Sequence, residues 1–168
     1  GPSIFIMRQK KIRMSVQEQL RGMSKKNYVL DWDGTLTTSQ NNASEGAAAT
    51  VDMLKKKNAN LYMVTYSAET TPKNCCTQSP QREVLCPKGR CLIKSRNWAY
   101  REGDGRIMVQ GKQVAHWDNP AAKTDVMEGT FGLKPEATVF VDDNELNQLH
   151  ADRRGFRTLR PDGRSGIK

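Results

Sequence analysis

The chain of 168 residues has room for one ordinary domain, and its composition excludes several classes of protein. Hydrophobic residues make up 36% and charged residues 27% of the sequence, so a packed core is feasible and complete disorder is excluded. No stretch approaches the roughly 18 consecutive apolar residues that a membrane-spanning helix needs. We therefore expect a soluble globular protein.

The net charge of +9 is distributed unevenly along the chain. Residues 1–26, 70–115 and 151–168 carry the positive excess, whereas the rest of the sequence is acidic. Basic segments attract phosphates, nucleic acid or acidic membrane surfaces. Nucleic acid and acidic membranes are therefore candidate partners of the basic termini and of the basic middle segment. The plainer alternative is that these lysines and arginines only solvate the surface.

The first 26 residues are treated separately from residues 27–168. Gly1-Pro2-Ser3 is typical of the remnant of a cleaved purification tag and is excluded from fold reasoning. Residues 7–25 place apolar side chains at helical spacing, namely Ile12, Val16, Leu20 and Met23. This pattern predicts a basic amphipathic helix that packs on the domain or on a partner.

The rest of the chain alternates between predicted strands and helices. In chain order we predict a strand at 28–30, a helix at 45–57 capped by Ser44, a strand at 61–64, a helix at 120–131, a strand at 137–141, a short helix near 145–151 and a strand at 156–159. This alternation is typical of an α/β fold with a parallel sheet, in which ligands gather at the carboxyl ends of the strands. The residues that follow these strands are Asp31, Asp33, Thr65, Asp142 and Asp143.

Residues 70–118 fit the alternation poorly. They hold all four cysteines, a turn at Gly103-Asp104-Gly105 and runs of alternating polarity such as residues 106–110. We interpret this segment as a small β-rich insertion, with a hairpin around residues 97–117, that sits over the same edge of the sheet.

Four carboxylates in one crevice repel each other unless a cation neutralises them. Ligand sets made only of oxygen favour Mg²⁺, which shares its coordination sphere with water and substrate phosphate oxygens. A carboxylate beside Mg²⁺ can attack phosphorus, and a second carboxylate two residues later can exchange protons with the leaving group and with water.

Four motifs in this order resemble those of the haloacid dehalogenase (HAD) superfamily. They are Asp31-Trp32-Asp33-Gly34-Thr35-Leu36-Thr37, then Met63-Val64-Thr65, then Lys123 at the start of a helix, and finally Val139-Phe140-Val141-Asp142-Asp143-Asn144. The resemblance implies a Rossmann-like parallel sheet with helices on both faces, and it makes residues 70–118 a small cap between the second and third motifs. Residues 27–168 would then form the catalytic domain.

The resemblance also implies a role for each site residue. Asp31 would be the nucleophile that forms an aspartyl-phosphate, and Asp33 would be the general acid and base, with its backbone carbonyl on Mg²⁺. The transferring phosphoryl group would be bound by Thr65 and Lys123, and Gly34 and Thr35 would contribute to substrate binding. Mg²⁺ would be held by Asp31, Asp33, Asp142 and Asp143.

Some of these assignments have competitors within the sequence. Ser67 competes with Thr65 for the second motif, although Thr65 better fits the end of the strand. Lys88 and Lys94 compete with Lys123, but both lie in the insertion rather than at a helix start. Because the insertion is small and basic, we expect an open site that admits macromolecular substrates.

Four cysteines, Cys75, Cys76, Cys86 and Cys91, lie within 17 residues. They could form a Cys₄ zinc site, pair as disulfides or remain free thiols, and the spacing alone does not decide between these. Their clustering in one segment favours an intracellular protein over a secreted disulfide scaffold. In the same segment Trp98, Tyr100 and Trp117 lie among arginines and could stack on bases or fill the core of the insertion.

The sequence thus predicts a Mg²⁺-dependent phosphatase that acts on a phosphomonoester, with a phosphoprotein or a nucleotide or nucleic-acid end as the substrate. Two alternatives remain open. One is a binding module for nucleic acid or membranes in which catalysis is secondary, and the other is phosphoryl transfer to an acceptor other than water.

Overall fold

The structure, a computed structural model that describes residues 14–168, is built around one seven-stranded sheet. The strands are β1 (Asn27–Leu30), β2 (Asn60–Val64), β3 (Trp98–Arg101), β4 (Arg106–Val109), β5 (Lys112–His116), β6 (Thr138–Val141) and β7 (Arg157–Leu159). Their order across the sheet is β5-β4-β3-β2-β1-β6-β7, with parallel pairing from β3 to β7 and antiparallel pairing in β3-β4-β5. The predicted α/β fold with a parallel sheet is confirmed.

Helices pack on both faces of this sheet. They are α1 (Val16–Arg21), α2 (Ala47–Lys56), α3 (Gln81–Leu85), α4 (Ala122–Asp125, which continues as a π-helical turn over Val126–Thr130) and α5 (Glu145–Arg153). Successive side chains of β1 point to opposite faces, as expected of a strand. Tyr28 and Leu30 pack with α1, α2 and α3, whereas Val29 packs with α4 and α5.

The register of the central strands fixes the position of the site. Leu30 of β1 pairs with Met63 of β2 on one side and with Val141 of β6 on the other. The three strands therefore end at the same edge of the sheet. Asp31 follows β1 directly, and its backbone N–H donates to the carbonyl of Val141 at 3.0 Å.

The N-terminal helix belongs to the domain. Ser15 caps α1 by accepting a hydrogen bond from the backbone N–H of Glu18, and Leu20 is fully buried in the main core. The ammonium group of Lys57 donates to the carbonyl of Leu20 and to two further carbonyls at the end of α1, where a cation is favoured. Helix α1 thus packs on the domain, which is one of the two alternatives that the sequence left open. The tag remnant and the predicted helical positions before residue 14 lie outside the described residues.

The segment 70–118 does not form a separate cap layer, which corrects the expectation from the sequence. The predicted hairpin exists, but β3 pairs in parallel with β2, and β4 and β5 extend the same sheet beyond it. The reason is apolar burial, because Trp98, Ala99 and Ile107 are all buried in the cores of the two sheet faces. A segment that buries both faces of its strands is stabilised better as part of the main sheet than as a lid.

The connection between β1 and α2 is a short flap followed directly by the helix. Thr37 and Ala43 form an isolated antiparallel bridge, with Asn41 at a positive φ in the turn. Helix α2 begins after Gly46, and the Ser44 hydroxyl donates to the carbonyl of Thr35. The predicted capping role of Ser44 is therefore wrong.

Among residues 14–168, no helix has the length and apolar character that crossing a membrane requires.

Candidate active site

The ammonium group of Lys123 is the centre of the site. Its Nζ lies 2.8 Å from Oδ1 of Asp31 and 2.8 Å from Oδ2 of Asp142. All three side chains are buried, with at most 7% of their surface exposed. Lys123 lies on the short helix α4, Asp31 follows β1 and Asp142 follows β6, so the ion pairs join three separate elements. The sequence assigned Lys123 to the phosphoryl group and did not predict these two ion pairs.

Burial and the charges of neighbouring groups set the pKa values of these groups. Burial raises the pKa of Asp31 to about 6, although Lys123 opposes this effect. Burial and the negative charge of Asp31 likewise raise the pKa of Asp142 to about 6. Burial disfavours the ammonium form of Lys123, but the two carboxylates outweigh it and raise the pKa of Lys123 above its ordinary value. One cation is thus shared by carboxylates that it cannot fully neutralise.

Both carboxylate oxygens of Asp31 are held in place. Oδ1 accepts from Lys123, and Oδ2 accepts from the hydroxyl of Thr35 at 3.1 Å. The same hydroxyl accepts from the backbone N–H of Asp143 at 3.2 Å. Thr35 therefore links the loop after β1 to the loop after β6, and its hydroxyl orients Asp31.

The first turn of α5 holds Asp142. The backbone N–H of Asn144 donates to Oδ1 of Asp142 at 2.8 Å, and the side-chain amide of Asn147 donates to Oδ2 at 3.1 Å. Gln148 donates to the backbone carbonyl of Asp142. Asn144 also caps α5 by accepting from the backbone N–H of Asn147, so the positive end of the helix dipole lies beside the acidic pair.

Two glycines border the side chain of Asp143. A Cβ atom built at Gly34 would clash with Oδ2 of Asp143, and one built at Gly163 would lie 2.7 Å from the same atom. Gly34 has a φ of +73°, which favours glycine independently of the contact. The Gly34 position is thus required both by the turn after β1 and by the space for Asp143.

The residues present fit a magnesium ion. Asp31, Asp142 and Asp143 each offer a carboxylate oxygen, and these oxygens lie within 4.8 Å of one another. The donors are hard oxygen atoms, which Mg²⁺ prefers, and Lys123 is the cation that pairs with two of the three carboxylates. The carboxylate of Asp33 is not part of this group of oxygens.

Asp33 is the exposed carboxylate of the site. It follows Asp31 by two residues in the turn at Trp32–Leu36, and its side chain faces solvent. Loss of part of its hydration raises the pKa of Asp33, and Glu69 acts in the same direction, while Lys123 and Arg101 oppose them. A carboxyl group with a raised pKa that is open to solvent suits proton transfer to and from a bound ligand.

The second motif lies at the end of β2. Thr65 is fully buried directly after the strand, and its hydroxyl accepts from the backbone N–H of Ser67 at 2.9 Å. Ser67 itself hydrogen-bonds to Thr70. Tyr66 lies between Thr65 and Ser67 in the chain, and the centroid of its ring is 4.8 Å from the Lys123 ammonium group. The residue that contacts Lys123 at the end of β2 is thus Tyr66, which directly follows Thr65 of the second motif.

The two lysines that compete with Lys123 lie elsewhere. Lys94 borders a cavity with Asn60, the first residue of β2, and so lies toward the edge of the sheet opposite the site. Lys88 lies near Arg82 and Cys86 in the loop after α3. Neither lysine is among the partners of Asp31 or Asp142.

The four cysteines gather in one cluster within the segment between β2 and β3. Cys76 and Cys86 form a disulfide, and Cys75 and Cys91 are free. The interaction between the two neighbouring free thiols lowers the pKa of Cys91 and raises that of Cys75. Of the alternatives that the sequence left open, one disulfide and two free thiols are present in this structure.

Several residues that the sequence analysis did not assign to the site contribute to it. They are Tyr66, Arg101, Asn147, Gln148 and Gly163. Asn147 could have been found from the sequence, because a cap at Asn144 places the first helical turn beside Asp142. No local pattern predicts Gly163, because its approach to Asp143 depends on how the C-terminal tail folds back.

Comparisons with known proteins support the fold. No family model and no curated protein sequence matches the chain. Among solved structures, it is similar to one described as a predicted HAD-like family hydrolase from Porphyromonas gingivalis, with 18% identity, a TM-score of 0.51 and coverage of 84% of this chain and 93% of the other. It also matches the NMR structure of the core domain of a protein provisionally assigned as a phosphoglycolate phosphatase from Streptococcus pneumoniae TIGR4, with 14% identity, a TM-score of 0.41 and coverage of 81% and 79%.

The first of these likenesses shows that the chain has the HAD-like fold, as its four motifs predicted. Within this fold the motif residues Asp31, Lys123 and Asp142 converge on one buried cluster.

The raised pKa values predict how pH and magnesium affect stability. The carboxyls of Asp31 and Asp142 titrate near 6 in the folded protein, against an ordinary value of 3.8, so the folded state binds more protons across this range. Their contribution to the free energy of unfolding therefore decreases as pH rises from about 4 to about 6. A Mg²⁺ ion held by these carboxylates would bind their ionised form, so we expect Mg²⁺ to raise the Tm more at about pH 7.5 than at about pH 5.

This comparison is made by thermal unfolding with MgCl₂ and with NaCl of equal ionic strength. Asp143→Asn should lose most of the gain from Mg²⁺, whereas Asp52→Asn on the exposed face of α2 should retain it. An equal gain at both pH values, or an equal gain from NaCl, would contradict the assignment.

Proposed function

We propose that the protein is a Mg²⁺-dependent phosphatase that hydrolyses a phosphomonoester through an aspartyl-phosphate on Asp31. The observation that carries this proposal is the carboxylate of Asp31, which is buried and held at both oxygens by Lys123 and Thr35. An oriented nucleophile next to a second, solvent-facing carboxylate suits a two-step displacement.

In the first step an oxygen of Asp31 attacks phosphorus, and the bond between phosphorus and the ester oxygen breaks. Asp33 donates its proton to that oxygen as it leaves. In the second step water attacks phosphorus, Asp33 takes a proton from the water, and Asp31 is released together with inorganic phosphate. The raised pKa of Asp33 supports the first proton transfer, because a larger fraction of this carboxyl is protonated at a given pH.

Lys123 and Thr65 would hold the transferring phosphoryl group. The pKa of Lys123 is raised, so its ammonium group stays charged throughout the accessible pH range. Asp31, Asp142 and Asp143 would hold Mg²⁺, with the Asp33 carbonyl as a further ligand. When bound, Mg²⁺ screens the repulsion between the carboxylate and the phosphoryl oxygens.

The substrate carries negative charge beyond the phosphoryl group, and Arg101 would bind it. Arg101 ends β3 close enough to Asp33 to lower its pKa, and its guanidinium group lies 4.9 Å from the ring centroid of Trp117. A guanidinium group that is oriented by an aromatic ring is suited to a carboxylate or a second phosphate.

Asp33 argues against a pure binding module, because binding a phosphate does not require a proton donor. Phosphoryl transfer to another acceptor would use the same residues, and it would be recognised by a phosphorylated acceptor in place of inorganic phosphate. A phosphoprotein or a nucleic-acid end as the substrate is supported by the absence of a separate cap layer among residues 14–168.

Asp31→Asn tests the nucleophile. We expect the hydrolysis of para-nitrophenyl phosphate to require Mg²⁺ in the original protein and to fall by at least about a thousandfold in the variant, because an amide cannot form the acyl phosphate. Circular dichroism checks that the variant folds, and Asp52→Asn, at a partly exposed carboxylate of α2 that pairs with Lys56, serves as the matched control. Full activity in a folded Asp31→Asn protein would rule out the proposed mechanism.

Asp33→Asn tests the general acid. We expect kcat to fall by about 10²- to 10⁴-fold with little change in KM, since the lost group acts on protons and not on binding. The loss should be greater for an alkyl phosphate than for para-nitrophenyl phosphate, because an alkoxide leaves poorly without a proton. Equal losses for the two substrates would assign Asp33 a role other than protonation of the leaving group.

Arg101→Ala tests the additional anionic group of the substrate. For a phosphomonoester that also carries a carboxylate or second phosphate, we expect KM to rise by about tenfold, as when one charge-assisted hydrogen bond is lost at a partly exposed site. For para-nitrophenyl phosphate KM should stay nearly constant. Arg96→Ala is the control, because Arg96 is an exposed arginine of the same segment. A rise of equal size for both substrates would assign Arg101 to the phosphoryl group instead.

A further inference from the structure

A second cluster of metal-binding side chains lies outside the candidate active site. The sulfur atoms of the four cysteines, Cys75, Cys76, Cys86 and Cys91, all lie within 4.8 Å of one another. They come from two short stretches, one before α3 and one after it. Cys75 and Cys86 are buried, and the other two are partly buried.

One pair of these sulfurs, outside the disulfide, has the spacing of a tetrahedral metal site. A Zn–S bond of about 2.3 Å places neighbouring sulfurs of a tetrahedron about 3.8 Å apart. The sulfurs of Cys75 and Cys76 are 3.8 Å apart, although these two residues are adjacent in the chain. We propose that the four cysteines form a tetrathiolate zinc site when the protein is reduced. This site is separate from the proposed phosphatase chemistry.

Zinc binding requires all four sulfurs as thiolates. The disulfide between Cys76 and Cys86 must therefore first be reduced. A dithiol transfers two electrons and two protons and becomes a disulfide itself, and a phosphine does the same with one water molecule and becomes a phosphine oxide. The four thiols then release four protons as Zn²⁺ binds, and the product carries a net charge of −2. A set of four sulfurs leaves no open position on the metal, which is typical of a structural site.

The loop after α3 has the shape of a tight turn that brings two cysteines together. The backbone N–H of Gly89 donates to the carbonyl of Cys86 at 3.1 Å, and the N–H of Leu92 donates to the carbonyl of Leu85 at 2.8 Å. Gly89 has a φ of +75°, a backbone conformation that favours glycine. A Cβ atom at this position would meet no other atom within 4 Å, so close packing is not the reason for the glycine. This turn presents Cys86 and Cys91 to the same point.

The charges around the cluster complement a dianionic centre. Residues 73–91 contain four basic side chains and one acidic side chain, and two of the basic residues, Lys88 and Arg90, lie within the turn itself. Lys88 and Arg82 border the same cavity as Cys86. Cations this close to a buried dianion reduce its electrostatic cost.

A metal would stabilise a segment with little regular structure. Between β2 and β3 the chain forms only α3 and a single 3₁₀ turn at Ser95–Asn97. The cysteine cluster joins both ends of α3 to the main core, where Cys75 and Cys86 pack with Val84 and Leu85. Short segments of this kind are where structural zinc contributes most to folding.

The test is metal analysis of the protein reduced with a phosphine, loaded with Zn²⁺ and freed of excess ion. We expect about one zinc ion per chain, and replacement with Co²⁺ should give the sulfur-to-cobalt charge-transfer bands and intense visible bands of a tetrahedral thiolate site. A chelator should remove the ion and lower the Tm by several degrees, and added Zn²⁺ should restore it.

Variants locate the ion. Cys75→Ser and Cys91→Ser, which leave the disulfide pair intact, should each reduce the bound zinc well below one ion per chain and change the cobalt spectrum. Asp31→Asn should leave zinc content unchanged, so a failure of the phosphatase proposal does not affect this result. Zinc content near zero in the reduced original protein, zinc that persists in both serine variants, or iron in place of zinc would each overturn the proposal.

Discussion

One buried ammonium group, that of Lys123, is shared by Asp31 and Asp142, and the geometry of the site depends on it. The three residues belong to α4 and to the ends of β1 and β6, so a single cation sets the position of a helix against two strands. Leaving a buried charge without its partner costs about 3–5 kcal/mol, which is a large part of the stability of an ordinary domain. These ion pairs therefore stabilise the fold, in addition to any chemical role that the three residues have.

The same cation does not balance the charges around it. Asp31, Asp142 and Asp143 bring three carboxylates together, and the pKa values of Asp31 and Asp142 stay raised despite Lys123. Such an excess of negative charge would repel a phosphate ester. A divalent cation on the three carboxylates would remove the excess, and Lys123 would then be available to the phosphoryl oxygens. An excess of negative charge of this kind is expected of a site that binds a metal ion and an anionic ligand together.

The sequence was sufficient to predict the central sheet and the edge at which the candidate site lies, because the residue pattern of each strand agrees there with its position in the sheet. Asp31 and Asp142 each follow a buried apolar strand, and parallel strands bring such residues to one edge. The placement of residues 70–118 was wrong in part, because the local pattern of this segment does not determine its position in the sheet. Alternating polarity predicts a strand but not its neighbour, and the burial of Trp98 that makes β3 a sheet strand depends on contacts distant in sequence.

The C-terminal tail shows why the basic charge of residues 151–168 is not simply a partner surface. The backbone N–H of Ile167 donates to the carbonyl of Thr35, and Gly163 lies against Asp143, so the tail holds the loop that carries Asp31, the proposed nucleophile. Arg160 donates to the backbone carbonyl of Asp143, and Arg154 pairs with Asp125. Part of this positive charge therefore serves the acidic site and the domain itself. Only the remainder is available to nucleic acid or to a membrane, and either partner stays a prediction.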